Sequence, residues 1–308
     1  MAKKGEFALI DWIRRQRRLG RGVVVGIGDD TAAIRPSKGA QVLLTTDSII
    51  EGTHFTRPEA TAYRIGWKAM AASISDIAAM AGMPKYAVVA VALPDDLPMR
   101  WAKDFFRGLC AVADRFGVGI IGGDVTSWKG KICVNVSIYG ECTGKPVTRG
   151  GAKAGDVILV TGRLGGSLLG GHLRFPPRVE EALTLRKAAR LHSMIDISDG
   201  LSADLGHICE ESGVGAVLYE SEIPLAPAAK KAAGKSGKTP LEHALSDGED
   251  YELLFTVSER DAKRLTEGVP FETPLTAVGR IIESGLYLQR RDGRRTRLKP
   301  GGYEHFKQ

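Results

Sequence analysis

Two adjacent carboxylates, Asp29 and Asp30, stand behind the glycine turn Gly26-Ile27-Gly28, which closes the apolar run Val23-Val24-Val25. Adjacent carboxylates repel, and the end of an apolar run solvates them only in part. A polar loop would hold them; so would a bound cation. The same arrangement recurs along the chain. Thr45-Thr46-Asp47-Ser48 closes the strand-like run Val42-Leu43-Leu44, and Gly122-Gly123-Asp124 follows Ile120-Ile121. Asp196 lies in Met194-Ile195-Asp196-Ile197-Ser198-Asp199-Gly200. Asp76 interrupts Trp67 to Met80, a run small and apolar on nearly every side, which predicts a largely buried helix. A lone ionised carboxylate there costs on the order of several kcal/mol unless it is paired or metal-bound.

Each of these aspartates alone could cap a helix or serve a turn. Asp30, Asp47, Asp76, Asp124, Asp196 and Asp199 together exceed what capping needs. Carboxylates beside hydroxyls such as Thr45 and Thr46 are hard oxygen ligands of the kind magnesium prefers. Converging, they would repel strongly unless several divalent ions bound them, and such a cluster is a usual way to hold a triphosphate. On an extended segment Asp196 and Ser198 share a face. Asp199 then opens a helix from Leu201 to Glu211, whose N-terminus favours anions.

The elements that must position these groups alternate between strand-like and helical patterns, which predicts an α/β (α+β) protein. Strands are expected at 42–46, 87–93, 118–121 and 132–139, and helices at 61–81 and 99–116. The densest turn-forming stretch runs from Thr143 to Gly155. It divides an N-terminal domain, 1–148, from a C-terminal domain, 149–308, which opens with a strand at 156–160. Lys230 to Lys238, rich in Lys, Ala and Gly, reads as a surface connection.

At 308 residues, 43% hydrophobic and 26% charged, the chain is long enough for two cores. Its net charge of +7 suits an anionic partner such as a nucleotide. The arginines gather at 14–21 and 290–297 and read as solvated faces of a helix and a hairpin, so no nucleic-acid partner is expected. Cys110, Cys133, Cys142 and Cys209 form no CxxC pair, which predicts reduced thiols and a cytoplasmic protein. No signal peptide and no membrane span is expected.

One stretch imitates a phosphate-binding loop: Gly234-Lys235-Ser236-Gly237-Lys238-Thr239. The P-loop pattern requires a glycine where Ala232 stands, and a buried strand before it. Gly26 fails the GxGxxG pattern as well, because its third glycine would fall on Thr31. A nucleotide here is held by other means.

In their order and spacing, GIGDDTA (26–32), TTDSIIEGTHF (45–55), SISDIAAMAG (73–82), IGGDVTS (121–127), VTRGGAKAGD (147–156), DISDGLSADLGHI (196–208) and DGEDYELLFT (247–256) resemble the thiamine-monophosphate kinases. This family lies within the aminoimidazole ribonucleotide synthetase superfamily. The likeness runs from Gly5-Glu6-Phe7 to Gly302-Tyr303-Glu304-His305-Phe306. It implies an N-terminal ATP- and magnesium-binding domain that dimerises through its strands, and a C-terminal domain completing the active site. It further implies ATP-dependent phosphorylation of thiamine monophosphate to thiamine diphosphate, by direct in-line transfer.

By that resemblance Asp30, Thr45, Thr46, Asp47, Asp76, Asp124, Asp196 and Asp199 are magnesium ligands. Gly123, Asp124, Arg149 and Ser198 contact ATP, and His54, Glu249 and Tyr303 face the thiamine phosphate. Gly162-Arg163-Leu164-Gly165-Gly166-Ser167 fits the family's glycine-rich turn. The acceptor is an already ionised phosphate oxygen, so no strong base is needed, and no Ser-His-Asp or Cys-His arrangement is expected. Two features depart from the pattern: Asp247 stands where a second glycine is common, and the stretch from His172 to His192 is short.

Other readings remain open at this stage. A selenophosphate synthetase would carry a reactive Cys early, and none precedes Cys110; a hydrogenase-maturation relative would end in one, unlike Phe306-Lys307-Gln308. Another ATP-dependent enzyme of the superfamily with a different acceptor is an alternative. So is a non-catalytic binder of thiamine phosphates, though a polyanion binder gains nothing from six converging carboxylates.

Overall fold

The structure, a computed structural model, describes residues 6–16, 20, 22–27 and 30–303. The chain forms two compact units, one of Met1–Ile77 with Gly82–Lys145 and one of Ala78–Ala81 with Pro146–Gln308.

The first unit contains α1 (Glu6–Gln16), the short pair β1 (Val23–Val25) and β2 (Ala33–Ile34), then β3 (Ala40–Ile50), α2 (Ala62–Ala79), β4 (Met83–Pro94), α3 (Met99–Arg115), β5 (Gly119–Trp128) and β6 (Cys133–Thr143). The last four strands form one sheet in the order β3-β6-β4-β5, with β4 and β5 parallel and the other pairs antiparallel. Inward positions are apolar: Val134, Val136 and Ile138 on β6, and Val89 and Val91 on β4, are all nearly fully buried. Against them α2 presents Ala, Ile and Ser with little bulk, and the Ser73 hydroxyl donates to the Val136 carbonyl at 3.1 Å. α3 buries Ala102, Phe105, Phe106, Leu109, Val112 and Ala113, the spacing of one helical face. Outward positions of the sheet leave Val42, Leu44 and Val88 exposed.

Two strand boundaries differ from expectation, and both matter for the site. β3 continues through Thr45-Thr46-Asp47-Ser48 instead of ending there, because it pairs with β6 without interruption from Ala40↔Thr143 to Ile50↔Cys133. β5 likewise continues through Gly122-Gly123-Asp124, pairing with β4 as far as Trp128. A continuous partner strand outweighs the weak β-propensity of Gly, Asp and Ser.

The second unit contains β7 (Val157–Thr161), α4 (Val179–Ala188), β8 (Ser193–Asp196), α5 (Leu201–Ser212), β9 (Gly215–Tyr219), α6 (Pro227–Ser236), α7 (Pro240–Ser246), β10 (Leu253–Val257), α8 (Glu259–Glu267), β11 (Leu275–Ile282), β12 (Leu286–Gln289) and β13 (Arg295–Arg297). Its sheet runs β13-β12-β9-β11-β7-β10-β8. Ile158, Val160, Ile195, Leu205, Leu218, Leu254 and Val278 build the core beneath α5. Both β7 and β10 are buried at every position, as central strands should be.

The expected surface connection at Lys230 to Lys238 is corrected: most of it is the helix α6. Pro227 starts it, Ala229 and Ala232 give it a buried stripe, and Gly237 ends it in the left-handed region. The P-loop imitation is therefore a helix-to-helix corner. Thr239 caps α7 through a capping box with Glu242, and the Lys238 ammonium donates to Asp247 at 3.1 Å. The corner also holds a Ser-His-Asp arrangement that was not expected: Ser236 Oγ lies 2.7 Å from His243 Nε2, and His243 Nδ1 lies 2.5 Å from Asp247 Oδ2. It ties the end of α6 to α7. The arginines after β12 do form the expected solvated hairpin, with Arg291 and Arg294 largely exposed. Of the early group, Arg14 and Arg15 are exposed on α1, while Arg17, Arg18 and Arg21 lie outside the described residues.

Candidate functional site

In the first unit the site grows from the seam between β3 and α2. Alternation along β3 turns Thr45 and Asp47 inward with Leu43 and Ile49, and Thr46 and Ser48 outward. The Thr45 hydroxyl donates to Asp76 Oδ2 at 2.5 Å. Asp47 lies within hydrogen-bonding reach of Ser73 and of Asp76, and burial pushes its pKa above the ordinary carboxylate value despite those bonds and the nearby His54. Lys68, fully buried about two turns before Asp76 on α2, donates to the His54 carbonyl at 2.7 Å and fixes that residue's backbone. The His54 ring accepts from the Ile50 amide through Nδ1 at 3.0 Å. On the outward face Thr46, Ser48, Asn135 and Ser137 form a ladder of hydroxyls and an amide across β3 and β6, with contacts of 2.9–3.1 Å.

Asp124 is placed differently. β3 and β5 are the two edges of the sheet, so Asp47 and Asp124 sit three strand spacings apart, roughly 14 Å. The first unit brings Thr45, Asp47 and Asp76 together and leaves Asp124 at the other edge. Gly123 must be glycine: a Cβ there would lie 2.1 Å from the Val89 carbonyl oxygen. Beside it an apolar recess is lined by Ile10, Ile13, Phe106 and Ile120, with Asp124 at its margin. Asp30 is exposed after the first turn, and Asp29 lies outside the described residues.

In the second unit Asp196 ends β8, and Ser198 and Asp199 form the turn into α5. The segment Gly248 to Glu252 folds back on that turn. The Glu249 amide donates to the Ser198 carbonyl at 2.7 Å, and the Tyr251 amide donates to the Ile197 carbonyl at 2.8 Å. The Tyr303 amide reaches the Asp199 carbonyl at 3.2 Å. Asp196, Ser198, Asp199, Glu249 and Tyr303 thus gather at one end of β8, and Arg149 lies exposed on the segment leading into β7. The fold-back is strained: Glu249 and Tyr251 hold φ of 56° and 51°, and a Cβ on Gly248 would meet the Ser198 oxygen at 2.4 Å. Asp247 itself is right-handed helical, so a glycine is not required there.

Three residues supporting this loop were not anticipated. Asp204, buried on α5, accepts from the Asp199 and Gly200 amides at 3.1 Å each. Burial, then the charges of Asp196 and Asp199, push its pKa well above the carboxylate range. With Asp199 and His207 it forms a group whose ligand atoms lie within 4.8 Å of one another. Asp250 accepts from the Gly165 amide at 2.9 Å, anchoring the glycine turn after β7, and its burial raises its pKa to about 8. Glu252 is gripped by Arg178 at 2.6 and 2.7 Å and by the Thr161 hydroxyl at 2.6 Å. The sequence signal for Asp204 was its five-residue spacing from Asp199; Arg178 and Glu252 are too far apart in the chain to suggest each other.

Comparison with known proteins decides the family. The description AIR synthase related protein, N-terminal domain, matches residues 28–142, and its C-terminal domain counterpart matches 153–289. A thiamine-monophosphate kinase of Rhodopirellula baltica is 39% identical over 308 residues, covering 97% of each chain. The chain belongs to the thiamine-monophosphate kinase family. A solved structure of the family from Stenotrophomonas maltophilia K279a is 35% identical, with a TM-score of 0.81 over 94% of this chain and 97% of that one. A second, AaThiL complexed with AMPPCP and TMP, is 31% identical, with a TM-score of 0.77 over 98% and 97%. The expected two-domain superfamily fold is borne out by these matches.

Proposed function

We infer that this chain transfers the terminal phosphoryl group of ATP to the phosphate of thiamine monophosphate, giving ADP and thiamine diphosphate. The chain is a phosphotransferase of the thiamine-monophosphate kinase family, matched over nearly its whole length. The observation that carries the chemistry is the pairing of Asp47 with Asp76 at the β3–α2 seam. Two carboxylates in one partly buried space, where burial raises the pKa of Asp47, suit a divalent cation that would offset the cost of ionising both.

Asp30, Thr45, Thr46, Asp47, Asp76, Asp124, Asp196 and Asp199 would hold magnesium. When bound, such ions neutralise charge on the phosphate oxygens. The chain's own groups then position the reactants. The apolar recess beside Gly123 and Phe106 suits a flat base, and Gly123 lets the backbone approach closely. Arg149, always charged, clamps phosphate oxygens together with Ser198. His54, Glu249 and Tyr303 face the acceptor, with Glu249 accepting from its aminopyrimidine. Transfer is direct and in line, without a phosphoenzyme; the phosphate oxygen attacks the terminal phosphorus as the bond to ADP breaks. This is the last step in forming thiamine diphosphate.

We further propose a homodimer formed through the open face of the four-stranded sheet, where Val42, Leu44 and Val88 are exposed. Four free cysteines, two of them buried, fit a reducing cytoplasm. No helix among the described residues is long and apolar enough to cross a membrane.

The test is ADP release from ATP and magnesium, with and without thiamine monophosphate. ADP and thiamine diphosphate formed only when both are present support the assignment. ADP release indifferent to thiamine monophosphate would leave the superfamily and refute the acceptor.

A further inference from the structure

The hairpin at the β13 edge of the second sheet is strongly basic, and the function proposed above makes no use of it. Five arginines stand between residues 290 and 297, against one acid, Asp292. Arg294 holds that acid at 2.6 and 2.7 Å. Arg290 and Arg291 are different, because among the described residues neither guanidinium makes a hydrogen bond. Each pairs with Glu220, Arg290 at 3.5 Å and Arg291 at 3.9 Å, both long for a hydrogen bond. One carboxylate thus offsets part of the charge of two guanidinia and leaves their donors open. These two arginines line both of two clefts, of about 740 and 480 Å³. Tyr219, Glu222 and Gln289 also line the larger one. Tyr219 and Gln289 end β9 and β12 and pair with each other, in the one parallel pair among the described strands of this sheet. The carboxyl ends of neighbouring parallel strands are where open sheets receive ligands. β8, which carries Asp196, lies five strand spacings from β12, roughly 24 Å, so the clefts stand apart from the aspartate site.

We propose that these clefts form a second ligand site, for a small molecule that carries a diphosphate on an amino-bearing aromatic ring. Arg290 and Arg291 take the phosphates, because a guanidinium fork matches two phosphate oxygens at once and a diphosphate is more highly charged than the Glu220 carboxylate. Tyr219 offers the ring a flat surface. Glu222, which accepts from the Ser221 hydroxyl at 2.8 Å, has acceptor capacity left for an amino group. A bare inorganic anion brings no donor to Glu222 and meets only its repulsion. ADP and thiamine diphosphate share the required chemistry, and the ring distinguishes them.

The experiment is isothermal titration of the full chain with ADP, thiamine diphosphate and pyrophosphate, with magnesium removed so that the aspartate site holds no phosphates. Wild type is compared with Arg290→Ala, Arg291→Ala, Arg291→Lys and Arg297→Ala. Wild type should bind at one site per chain, and the better of the two ring-bearing ligands should bind roughly tenfold or more tighter than pyrophosphate. Each alanine variant in the clefts should weaken that ligand by roughly tenfold or more. Arg291→Lys keeps the charge but loses the fork, and should retain only part of the affinity. Arg297 is exposed on β13 and lines neither cleft, so Arg297→Ala should bind as wild type does. Absence of binding in wild type would overturn the site, as would undiminished binding in Arg290→Ala and Arg291→Ala. An equal loss in Arg297→Ala would reduce it to diffuse surface charge, and pyrophosphate binding as tightly as the ring-bearing ligands would refute the ligand class. Thermal unfolding checks that each variant is folded. Turnover is not read, so a failed acceptor assignment leaves the outcome of this test unaffected.

Discussion

The Thr45 hydroxyl donates to a carboxylate oxygen of Asp76 at 2.5 Å, binding an inward residue of an edge strand to the last turn of a buried helix. Asp47, the next inward residue of β3, reaches the same carboxylate. This seam separates charge from shape. Asp76→Asn keeps an oxygen for Thr45 but removes the charge, so the fold should stand while thiamine-monophosphate-dependent ADP release falls by about 100-fold or more. Unchanged turnover in a folded variant would place the metal elsewhere.

Arg178 and Glu252 form a two-pronged pair, with Glu181 and Thr273 completing the shell around the guanidinium. Arg178→Ala strands a buried carboxylate and should destabilise the second unit by about 3 kcal/mol. Urea unfolding followed by circular dichroism measures this. A loss below about 1 kcal/mol would mean that water replaces the arginine.

Asp250 carries a pKa of about 8 because it is buried, against 3.8 for an ordinary aspartate. Its folded pKa is raised, so the stability it contributes is complete below about pH 4 and is lost as pH rises towards 8. Asp250→Asn keeps an acceptor for the Gly165 amide without this liability. Its unfolding free energy should therefore fall less than that of wild type between pH 5 and pH 8. Parallel curves would show that Asp250 is already ionised in the folded protein.

Gly123→Ala drives a methyl group into the Val89 carbonyl, a backbone atom that cannot step aside. ATP affinity should drop at least about tenfold, with a lowered melting temperature, since β5 must part from β4 to relieve the clash. Isothermal titration with a non-hydrolysable ATP analogue tests it.

Leu44 is 77% exposed on the open face of the first sheet. Leu44→Lys should convert a dimer to a monomer in light scattering, because a charge buried in an apolar interface finds no partner there. A wild type that is monomeric at micromolar concentration would refute the dimer outright.

Much of the fold was legible because its signals are local. The small apolar run around Asp76 announced a buried helix holding an unexplained carboxylate, and α2 is that helix. The glycine turn after β7 and the Asp199 turn into α5 were likewise written in neighbouring residues. The extents of β3 and β5 were not. Gly, Asp, Ser and Thr argue against a strand locally, and only eleven consecutive pairs with β6 carry β3 through Thr45 to Ser48. The misreading of α6 has the opposite cause: its Lys-Ala-Gly composition looks solvated, and its narrow buried face shows only when packed.

The sequence by itself determined the chemistry: an excess of aspartates at apolar boundaries, hydroxyls beside them, and seven motifs in a family's order. Those are properties of residue type and spacing, and they survive without coordinates. Tertiary structure decided which of those groups meet. It set Asp76 against Thr45 and Asp47, kept Asp124 at the far edge of the sheet, and brought Asp204 and Arg178 in to support the second unit's loop. Such pairings depend on sheet order and on contacts between segments far apart in the chain, as Thr161 and Glu252 are at 91 residues, which no local pattern encodes.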